Sequence, residues 1–414
     1  MVVQKMSKLE ELIAKYCPDG VFYKKLGEIC SIKGRIGFRG YTRADVVEKG
    51  QGAISLSPSN IKNNQIFYND STYISWNKYY ESPEIMINNG DIIFCKTASI
   101  GKVALIKGLT EKATINPQLV VLKDCECDSS YLYYCLCCYS FQYEVTKRKG
   151  VGSVPNISQK DLSNITIPIP PIEVQQEIVR ILDNFTELTA ELTAELTARK
   201  KQYEYYRSEM LTFDLGIPKK KLGQTCDMKA GKSIPSELIS SEETQYANVK
   251  CYGGNGIRGY VNEANQHGEF PLIGRQGALC GNVNYATGDF YATEHAVVVK
   301  SQGEYKQRFL FHLLTFMDLN QYKSAGAQPG LSVKKLQEIE APVPSLEVQD
   351  RIVNILDNFE KICNDLNIGL PAEIEARQKQ YEFYRDQLLT FAENGETILT
   401  DRQTDRQTDR AESD

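Results

Sequence analysis

Three short stretches contain residues whose types and spacing could bind a nucleotide or a methyl donor. Gly254, Gly256 and Gly259 match the glycine spacing of a dinucleotide-binding turn, but the residues that follow lack the apolar pattern of the helix such a turn opens. The stretch 230–233 (AGKS) lacks the earlier glycine of a phosphate-binding loop. The stretch 116–118 (NPQ) lacks the second proline and the aromatic residue of an aminomethyltransferase motif. We therefore expect no bound cofactor.

Histidine and cysteine are the next residue types that could carry chemistry. The histidines, His267, His295 and His312, are well separated and no recognisable nucleophile motif accompanies them, so a hydrolytic triad is not expected. Five of the twelve cysteines crowd into residues 125–138. A zinc site is one interpretation, but it needs two Cys/His pairs at ligand spacing. Reduced thiols buried in the core are the preferred one, and no metal is expected.

Composition indicates an ordinary globular protein of two to four domains, with 414 residues of which 42% are hydrophobic and 24% charged. The most apolar stretch, residues 131–143, is shorter than the ~20 residues that a membrane-spanning helix needs. The N-terminal residues lack the apolar core of a signal peptide. We expect a cytoplasmic protein without a membrane partner.

The charge is unevenly distributed. The net charge of −5 argues weakly against a nucleic-acid partner, but residues 22–43 carry six basic side chains against one acidic, and residues 217–235 carry five against one. Basic stretches with interleaved aromatic residues are typical of surfaces that meet a phosphate backbone. A solvated charged face is the alternative.

The most informative feature of the chain is a duplication. Residues 168–185 and 342–359 are identical at twelve of eighteen aligned positions, at a constant offset of 174. Residues 199–213 return as 377–391 with ten of fifteen positions identical, now at an offset of 178. Near-copies separated by unlike stretches predict an approximate internal two-fold, in which the repeated parts are scaffold and the other parts differ in task.

The repeated segments have the apolar spacing of helices. After Pro171, which suits a first helical position, apolar residues recur three and four apart from Ile178 to Leu192. This predicts one helix of ~40 residues, ~60 Å long. The second copy supplies the partner stripe of an antiparallel coiled coil. We expect an interruption near residues 369–371 (GLP), because proline cannot donate a backbone hydrogen bond inside a helix.

Two tetrapeptide repeats occur. Residues 186–198 repeat the unit Thr-Ala-Glu-Leu, which advances a helix by ~6 Å and keeps its apolar stripe, so we interpret it as a length adjuster. A low-complexity helix grown by replication slippage, without consequence, is the alternative. Residues 400–410 (TDRQTDRQTDR) could be encoded by a repeated four-base unit. We expect a disordered acidic tail that does not bind DNA and whose gene switches reading frame by slippage.

The unrepeated halves, roughly residues 20–150 and 216–325, contain short apolar strand patterns such as 90–96 and 296–300, separated by Asn/Gly clusters. Each half then ends in a helix-like stretch, 131–145 and 305–316. Faint correspondences between the halves, such as Leu-Gly pairs near their starts, indicate one α+β fold that carries two different surfaces.

Together these motifs resemble the specificity subunit of Type I restriction-modification systems. The resemblance lies in the Ile-Pro-x-Pro entry, the E-V-Q-x-x-I-V-x-I-L-D-N-F segment, the Thr-Ala-Glu-Leu units, the K-Q-Y-E-x-Y-R ending and residues 252–260 (YGGNGIRGY). It implies two α+β target recognition domains separated by two long helices that form an antiparallel coiled coil, with pseudo-two-fold internal symmetry. The implied boundaries are 1–167 for the first recognition domain, 168–215 for the first helical spacer, 216–341 for the second recognition domain, 342–391 for the second spacer and 392–414 for the tail.

The resemblance also implies the function and the partners. Such a subunit performs no chemistry: it reads a bipartite double-stranded DNA target and docks two methyltransferase subunits, which use S-adenosylmethionine to methylate adenine. Restriction subunits driven by ATP join them to cut unmodified DNA. The alternative is a fused or stand-alone DNA-modifying enzyme, a nuclease or methyltransferase with its own recognition domains, which predicts metal-binding or nucleotide motifs that we do not find in the sequence. A purely structural coiled-coil protein would not explain two dissimilar glycine-rich halves.

Base edges are read by side chains that pair with purines, Arg or Lys with guanine and Asn or Gln with adenine. The candidates in the first half are Arg35, Arg39, Tyr41, Asn60, Lys62, Lys96, Ser99 and Asn116. The candidates in the second half are Asn255, Arg258, Tyr260, Arg275, Gln276, Asn282 and His295. The residues expected to meet phosphates are Lys147, Arg148 and Lys149. For each residue the alternative is an exposed polar side chain without a contact.

Overall fold

The computed structural model of the protein describes residues 7–37, 40–150, 154–213, 216–277, 279–324, 329–365 and 367–391. The chain divides into two units: unit 1 comprises Met1–Ala190 with Glu375–Asp414, and unit 2 comprises Glu191–Ile374. The expected tail and the candidate Arg39 lie outside the described residues.

Unit 1 mixes short helices and strands. Its helices include α1 (Lys8–Tyr16), α2 (Leu26–Ile29), α3 (Trp76–Tyr80), α4 (Ser129–Cys137), α5 (Tyr139–Arg148) and α6 (Gln159–Ser163). Its strands include β1 (Phe22–Lys25), β2 (Ser31–Gly34), β3 (Val46–Val47), β4 (Gly52–Leu56), β5 (Ile61–Lys62), β6 (Gln65–Ile66), β7 (Thr72–Ser75), β8 (Ile92–Cys95), β9 (Val103–Leu105), β10 (Ala113–Ile115), β11 (Leu119–Lys123) and β12 (Thr166–Ile169). The helix α7 (Ile172–Leu211) carries the chain from unit 1 into unit 2.

Unit 2 repeats this composition. Its helices include α8 (Leu222–Thr225), α9 (Gln307–Phe316), α10 (Val333–Gln337) and α11 (Leu346–Asn364), and α12 (Leu370–Leu388) returns the chain to unit 1. Its strands include β13 (Lys219–Lys221), β14 (Cys226–Ala230), β15 (Val249–Gly253), β16 (Gly256–Val261), β17 (Gln266–His267), β18 (Phe270–Gly274), β19 (Val283–Ala286), β20 (Asp289–Ala292), β21 (Ala296–Ser301) and β22 (Glu340–Pro342).

The two units contain the same pair of sheets. In unit 1 an antiparallel sheet has the order β2-β11-β8-β9, and a second sheet, β10-β4-β7-β3, contains the parallel pair β10 and β4. In unit 2 the orders are β14-β21-β18-β19 and β16-β15-β20-β17, with β15 and β20 parallel. The expectation of one α+β fold present twice is confirmed.

The central strands of unit 1 are apolar on both faces. In β8, Ile92 and Phe94 pack into the cluster that includes α4 and α5, whereas Ile93 and Cys95 pack into the cluster shared with the second sheet. Alternate residues of a strand point to opposite faces, so a strand covered on both sides has a continuous apolar run rather than an alternating one. This explains why residues 92–95 (IIFC) contain no polar residue.

The long helix and its interrupted partner are confirmed. The helix α7 contains 40 residues, and the second copy is split into α11 and α12. At the break, the side chain of Asp365 accepts a hydrogen bond from the backbone N–H of Asn367, at 2.7 Å. A Cβ atom on Gly369 would lie 2.6 Å from the carbonyl oxygens of Lys361 and Asp365, so only glycine fits there. Pro371 then falls in the first turn of α12, where its missing N–H costs nothing.

The helices of unit 2 run antiparallel. The Tyr206 ring of α7 lies 5.5 Å from the Phe359 ring of α11, between centroids. Earlier in α7, the positive charges of Arg199 and Lys200 oppose the rise that burial causes in the pKa of the Cys363 thiol. Cys363 comes later in α11 than Phe359 does. As the residue number increases along α7, the residue number of the neighbour in α11 therefore decreases. This is the pairing of two antiparallel helices.

Buried contacts repeat along with the sequence. The hydroxyl of Tyr131 donates to the carbonyl of Pro168 at 3.0 Å, and the hydroxyl of Tyr305 donates to the carbonyl of Pro342 at 3.1 Å. Both pairs are related by the offset of 174 seen in the duplicated segments. The internal repeat thus extends from the helices into the last strand of each half.

The remaining expectations on local structure have mixed outcomes. The helix-like stretch 131–145 is two helices, because Cys138 adopts an extended conformation between α4 and α5. All twelve cysteines lie in the described ranges; each is a free thiol and all but Cys125 are buried, as expected for core residues. Among the described residues, no helix combines the length and the apolar character needed to cross a membrane.

Candidate nucleic-acid interface

Several candidate residues of unit 1 lie at one edge of the sheet β2-β11-β8-β9. Both β2 and β8 run antiparallel to β11, so the ends of β2 and β8 meet the start of β11. We call the loops that leave this edge, residues 35–37, 96–101 and 116–118, edge 1. It contains Arg35, Lys96, Ser99 and Asn116.

Arg35 is held inside unit 1. Only 6% of it is exposed, its Nε donates to the carbonyl of Ile115 at 3.2 Å, and its Nη2 donates to the hydroxyl of Thr114 at 3.3 Å. Its guanidinium also lies 5.4 Å from the centroid of the Tyr41 ring, and burial lowers the pKa of the guanidinium. The hydroxyl of Tyr41 accepts a hydrogen bond from Ser55 at 2.9 Å. A base contact by Arg35 would require breaking these bonds, and its role in reading DNA stays a prediction.

Two candidate asparagines also use their polar groups within unit 1. The Nδ2 of Asn60 donates to the carbonyl of Phe67, and its Oδ1 accepts from the backbone of Ser57. Asn116 is buried; its Nδ2 donates to Oε1 of Gln118 at 3.1 Å, and its Oδ1 accepts from the N–H of Gln118 at 3.0 Å. These contacts shape the loops. Gln118, which the sequence analysis did not select, shares edge 1 with Asn116.

The other candidates of unit 1 are more accessible. Lys62 and Ser99 are exposed and Lys96 is half-buried. The Nζ of Lys62 lies 5.7 Å from the centroid of the Phe67 ring.

The basic residues at the end of α5 lie close to edge 1. The backbone of Gly150, just after Lys149, bridges to Asn156, and Asn156 bridges to Thr97 in edge 1. Lys147 and Arg148 are exposed, and each forms an ion pair with Glu144, at 3.1 and 3.2 Å.

The equivalent edge of unit 2 collects most of its candidates. We call residues 275–277 and 279–282, residues 293–295 and the hairpin tip Gly254–Asn255 edge 2. It lies where β14 and β18 end and β21 begins. Arg275, Gln276, Asn282 and His295 belong to it, and the Nδ2 of Asn282 donates to Oδ1 of Asn255 at 3.1 Å.

Lys96 and Arg275 occupy equivalent positions in the two units. The N–H of Lys96 donates to the carbonyl of Gln118 at 2.9 Å, and the N–H of Arg275 donates to the carbonyl of His295 at 2.9 Å. The carbonyls of Lys96 and Arg275 accept from Ile157 and Leu331 respectively, again at 2.9 Å, and these two partners are related by the offset of 174. A long cationic side chain therefore follows the same strand in both units.

The glycine-rich stretch of unit 2 is a β-hairpin. Residues 253–256 connect β15 to β16, which pair antiparallel, so no helix opens there as a dinucleotide-binding turn would require. A Cβ atom on Gly274 would lie 1.7 Å from the carbonyl oxygen of Gly254, so the hairpin tip packs directly on edge 2. Beyond the tip, Arg258 is exposed and its Nη2 donates to Ser236 at 2.7 Å, whereas Tyr260 is half-buried.

Comparison with known proteins decides the family. Residues 18–199 and 216–376 each match the model of the Type I restriction modification DNA specificity domain. The chain belongs to this family. The specificity subunit of the Type I restriction enzyme EcoprrI of Escherichia coli is 43% identical over 292 residues, which cover 66% of this chain and 72% of that protein. A putative type I specificity subunit of Mycoplasma pneumoniae is 32% identical over 257 residues, covering 59% and 94%.

Solved structures agree on the fold. The S subunit of the Type I restriction-modification system of M. genitalium aligns with a TM-score of 0.54 at 17% identity, covering 90% of this chain and 97% of that one. A chain from a study of the assembly and conformational transition of the type I R-M system aligns with a TM-score of 0.56 at 18% identity, covering 90% and 98%. As a Type I specificity subunit, the protein recognises DNA for its system and is not its catalytic component.

A cluster of potential metal ligands in unit 2 of this specificity subunit forms ion pairs and hydrogen bonds between two helices. His312, Asp357 and Glu360 offer ligand atoms within 4.8 Å of one another. However, Arg308 already forms ion pairs with both carboxylates: its Nε lies 2.8 Å from Asp357, and its Nη2 contacts Glu360. The Nε2 of buried His312 donates to the Asp357 carboxylate at 2.7 Å. These bonds join α9 to α11. At the position equivalent to Asp357, Asp183 accepts from the Tyr134 hydroxyl at 2.5 Å in unit 1.

The second basic stretch is partly neutralised. Lys220 and Lys221 form ion pairs with Glu304 and Glu338 at 2.6 and 2.5 Å.

Proposed function

We propose that this specificity subunit reads a bipartite double-stranded DNA target, with unit 1 reading one half and unit 2 the other. In this proposal it directs adenine methylation by two methyltransferase subunits and ATP-dependent cleavage by restriction subunits, in the cytoplasm. The observation that carries the proposal is the equivalence of Lys96 and Arg275. The two units present a cation at the same sheet edge, but its neighbours differ: Gln118 in unit 1 and His295 in unit 2.

The proposed base contacts are accessible polar residues of the two edges, together with Arg258 of β16. They are Lys96 and Ser99 in unit 1, and Asn255, Arg258, Arg275, Gln276, Asn282 and His295 in unit 2. Lysine and arginine donate to guanine, whereas asparagine and glutamine pair with adenine, so different side chains on one backbone geometry read different bases. We leave out Arg35, Asn60 and Asn116, because these side chains are buried and their polar groups are bonded within unit 1.

The exposed cations at the end of α5 are proposed phosphate contacts. Exposed ion pairs contribute ~0–1 kcal/mol. A phosphate can therefore replace Glu144 as the partner of Lys147 or Arg148 at little cost.

Repeated exposed apolar side chains support two copies of one partner. Ile172 and Leu188 of unit 1 are 45% and 38% exposed, and their equivalents in unit 2, Leu346 and Ile362, are 46% and 42% exposed. Phe383 of unit 1 and Tyr205 of unit 2, equivalent at the offset of 178, are 57% and 60% exposed. Large apolar side chains left in water at matching positions are typical of interaction surfaces. Each unit therefore offers the same apolar set to one methyltransferase subunit.

We also propose the domain boundaries that the resemblance implied. The recognition domains comprise residues 1–167 and 216–341, and the helical spacers comprise 168–215 and 342–391. Residues 392–414 form the tail.

Methylation-site mapping tests the proposal. The subunit is co-expressed with its methyltransferase partner, and methylated adenines are located across the host genome. We expect one motif with two specified halves and an unspecified gap. Lys96→Ala should change one half and Asn255→Ala the other, because the residues belong to different units. A single uninterrupted motif, or changes in the same half, would contradict the proposal.

A further inference from the structure

Helix α1 of unit 1 has no counterpart in the described part of unit 2. It precedes β1, whereas only residues 212–218 separate α7 from β13, the equivalent strand. Leu9 and Ile13 of α1 belong to the same buried cluster as Val174 of α7, and Ile181 packs against that cluster. In unit 1, α1 therefore covers part of one face of α7.

The equivalent face of α11 is open. Val174 is fully buried, but its copy at the offset of 174, Val348, is 38% exposed. Ile181 is half-buried, but its copy Ile355 is 39% exposed. We call Val348, Ile355 and Ile362, which lie seven residues apart on one face of the helix, the α11 stripe. Ile362 already belongs to the proposed methyltransferase surface, so the open face continues that surface.

The charge on this face is reversed between the units. Glu177 is buried, and it forms ion pairs with Lys8 of α1 at 2.7 Å and with Arg180 at 2.6 Å. The copy of Glu177 is Arg351, whose side chain is 75% exposed and forms an ion pair with Glu347 at 2.5 Å. An exposed ion pair is weak, so an acidic group of a partner can replace Glu347.

This reversal decides which helix fits the open face. A second copy of this chain could offer its own α1, but Lys8 would then face Arg351, and like charges that face each other across an interface oppose binding. The helix that fits has apolar residues four apart, as Leu9 and Ile13 are, and an acidic residue where α1 has Lys8. Amphipathic helices bind apolar surfaces through residues at such spacing.

We infer that an amphipathic helix of the methyltransferase subunit docks on unit 2 in the place that α1 takes on unit 1. The apolar face of this helix covers Val348 and Ile355, and its acidic residue pairs with Arg351. The inference rests on the proposed function, which assigns Ile362 of the same stripe to that subunit. It makes the two methyltransferase sites unequal, because α1 already covers the equivalent face of unit 1. The site on unit 2 is therefore the larger and the tighter one.

Photo-crosslinking identifies the occupant of the α11 stripe. Ile355 is replaced by p-benzoylphenylalanine in the complete complex with methyltransferase and restriction subunits, and crosslinked peptides are identified by mass spectrometry. We expect peptides from one helix of the methyltransferase subunit that contains an acidic residue. A crosslink to a second copy of this chain, to a restriction subunit or to no partner would overturn the inference.

Substitutions on the open face test its contribution to binding. The complex with two methyltransferase subunits is diluted, and the loss of each subunit is followed by mass photometry. Ile355→Glu and Arg351→Glu should each weaken the tighter site by about 10-fold or more, whereas Arg351→Lys keeps the charge and should behave as the wild type. The matched control is Ile368→Glu, at a side chain that is 80% exposed and lies beyond the end of α11. It should leave both sites unchanged.

The outcomes separate the inference from the proposed function. A wild-type chain that binds no methyltransferase subunit, or that gives no split methylation motif, contradicts the proposed function itself. Two equal sites in the wild type, or unchanged dissociation of Ile355→Glu and Arg351→Glu, overturn the inference alone. An unchanged temperature of thermal unfolding shows that each variant is folded.

Discussion

The ring of Phe185 stacks on the ring of Tyr384, with centroids 5.5 Å apart and planes 22° apart. In unit 2 the ring of Phe359 lies against that of Tyr206, also at 5.5 Å. Phe359 is the copy of Phe185 at the offset of 174, and Tyr384 is the copy of Tyr206 at the offset of 178. Phe185, in segment 168–185, therefore contacts the second copy (377–391) of the other repeated segment. Phe359, in the second copy of the first segment (342–359), contacts segment 199–213. The duplication is preserved as a pair of equivalent packing contacts, one in each unit.

Double-mutant cycles should give similar coupling energies for the two pairs. For Phe185→Leu with Tyr384→Leu, and for Phe359→Leu with Tyr206→Leu, we expect couplings of ~0.5–1.5 kcal/mol, because aromatic pairs add that much beyond their buried area. The measurement is the free energy of unfolding in chemical denaturant. A coupling near zero for one pair alone would show that the two equivalent contacts do not contribute equally to the stability of the protein.

The helical scaffold could be predicted from the sequence because its signals are local. Apolar spacing of three and four residues determines a helix, and the Gly369 and Pro371 pattern marks its interruption within a few positions. The duplication itself then supplied the antiparallel partner.

The edges could be predicted only in part. Arg35 and Lys96 both follow strands and look alike in sequence, yet Arg35 turns inward to Thr114 while Lys96 stays half-exposed. Which way a loop side chain turns depends on the strand that lies beside it, and strand pairing is a long-range property that residue spacing does not reveal. The buried Nε of Arg275, which has no hydrogen-bond partner in the described part of the chain, is a property of the same kind.

The hydrogen bond between His312 of α9 and Asp357 of α11 should make unit 2 sensitive to acid. Burial lowers the pKa of His312 to about 4, although its hydrogen bond to Asp357 opposes the shift. The ordinary value is 6.5, so between pH 6.5 and 4 the unfolded chain binds a proton that the folded chain does not. The stability that neutral His312 contributes is complete above pH 6.5 and falls as the pH drops toward 4, by about 3 kcal/mol.

The measurement is the free energy of unfolding of the wild type and of His312→Asn across this pH range. The asparagine amide can still donate to Asp357 but does not titrate, so the difference between the two proteins isolates the histidine from Glu360, whose pKa burial raises. Hydrogen exchange of the α9 amides assigns the change to unit 2. Parallel pH dependences of the two proteins would contradict the prediction.

Substitutions in the two units should separate base reading from phosphate binding. Arg258→Ala should relax recognition of one half-site by ~1–3 kcal/mol if the exposed guanidinium contacts a base bidentately. Lys147→Ala should instead weaken binding to all sequences alike and reduce its salt dependence. The measurement is binding of the subunit, assembled with its methyltransferase partner, to targets altered in one half or the other. If Arg258→Ala leaves both half-site preferences and the affinity intact, Arg258 does not contact a base.

The last prediction concerns the Thr-Ala-Glu-Leu units of α7. This helix is continuous over Ile172–Leu211, so one further Thr-Ala-Glu-Leu tetrapeptide inserted after Leu196 adds ~6 Å of helix. Neighbouring base pairs lie ~3.4 Å apart along B-DNA, and part of the added length can be lost to bending of the helix pair. If helix length sets the gap between the half-sites, the gap should widen by about one base pair while both half-site sequences stay unchanged.

Methylation-site mapping of the insertion variant is the measurement, and a variant with Thr193→Gln and Glu195→Gln is its control. The control changes the composition of one Thr-Ala-Glu-Leu tetrapeptide without changing the length of the helix, so it should keep the wild-type gap. An unchanged gap in the insertion variant would show that these helices do not set the spacing. Altered half-site sequences would show instead that the repeat belongs to a reading surface, because a helix that only measures length has no means of changing which bases are contacted at edge 1 or edge 2.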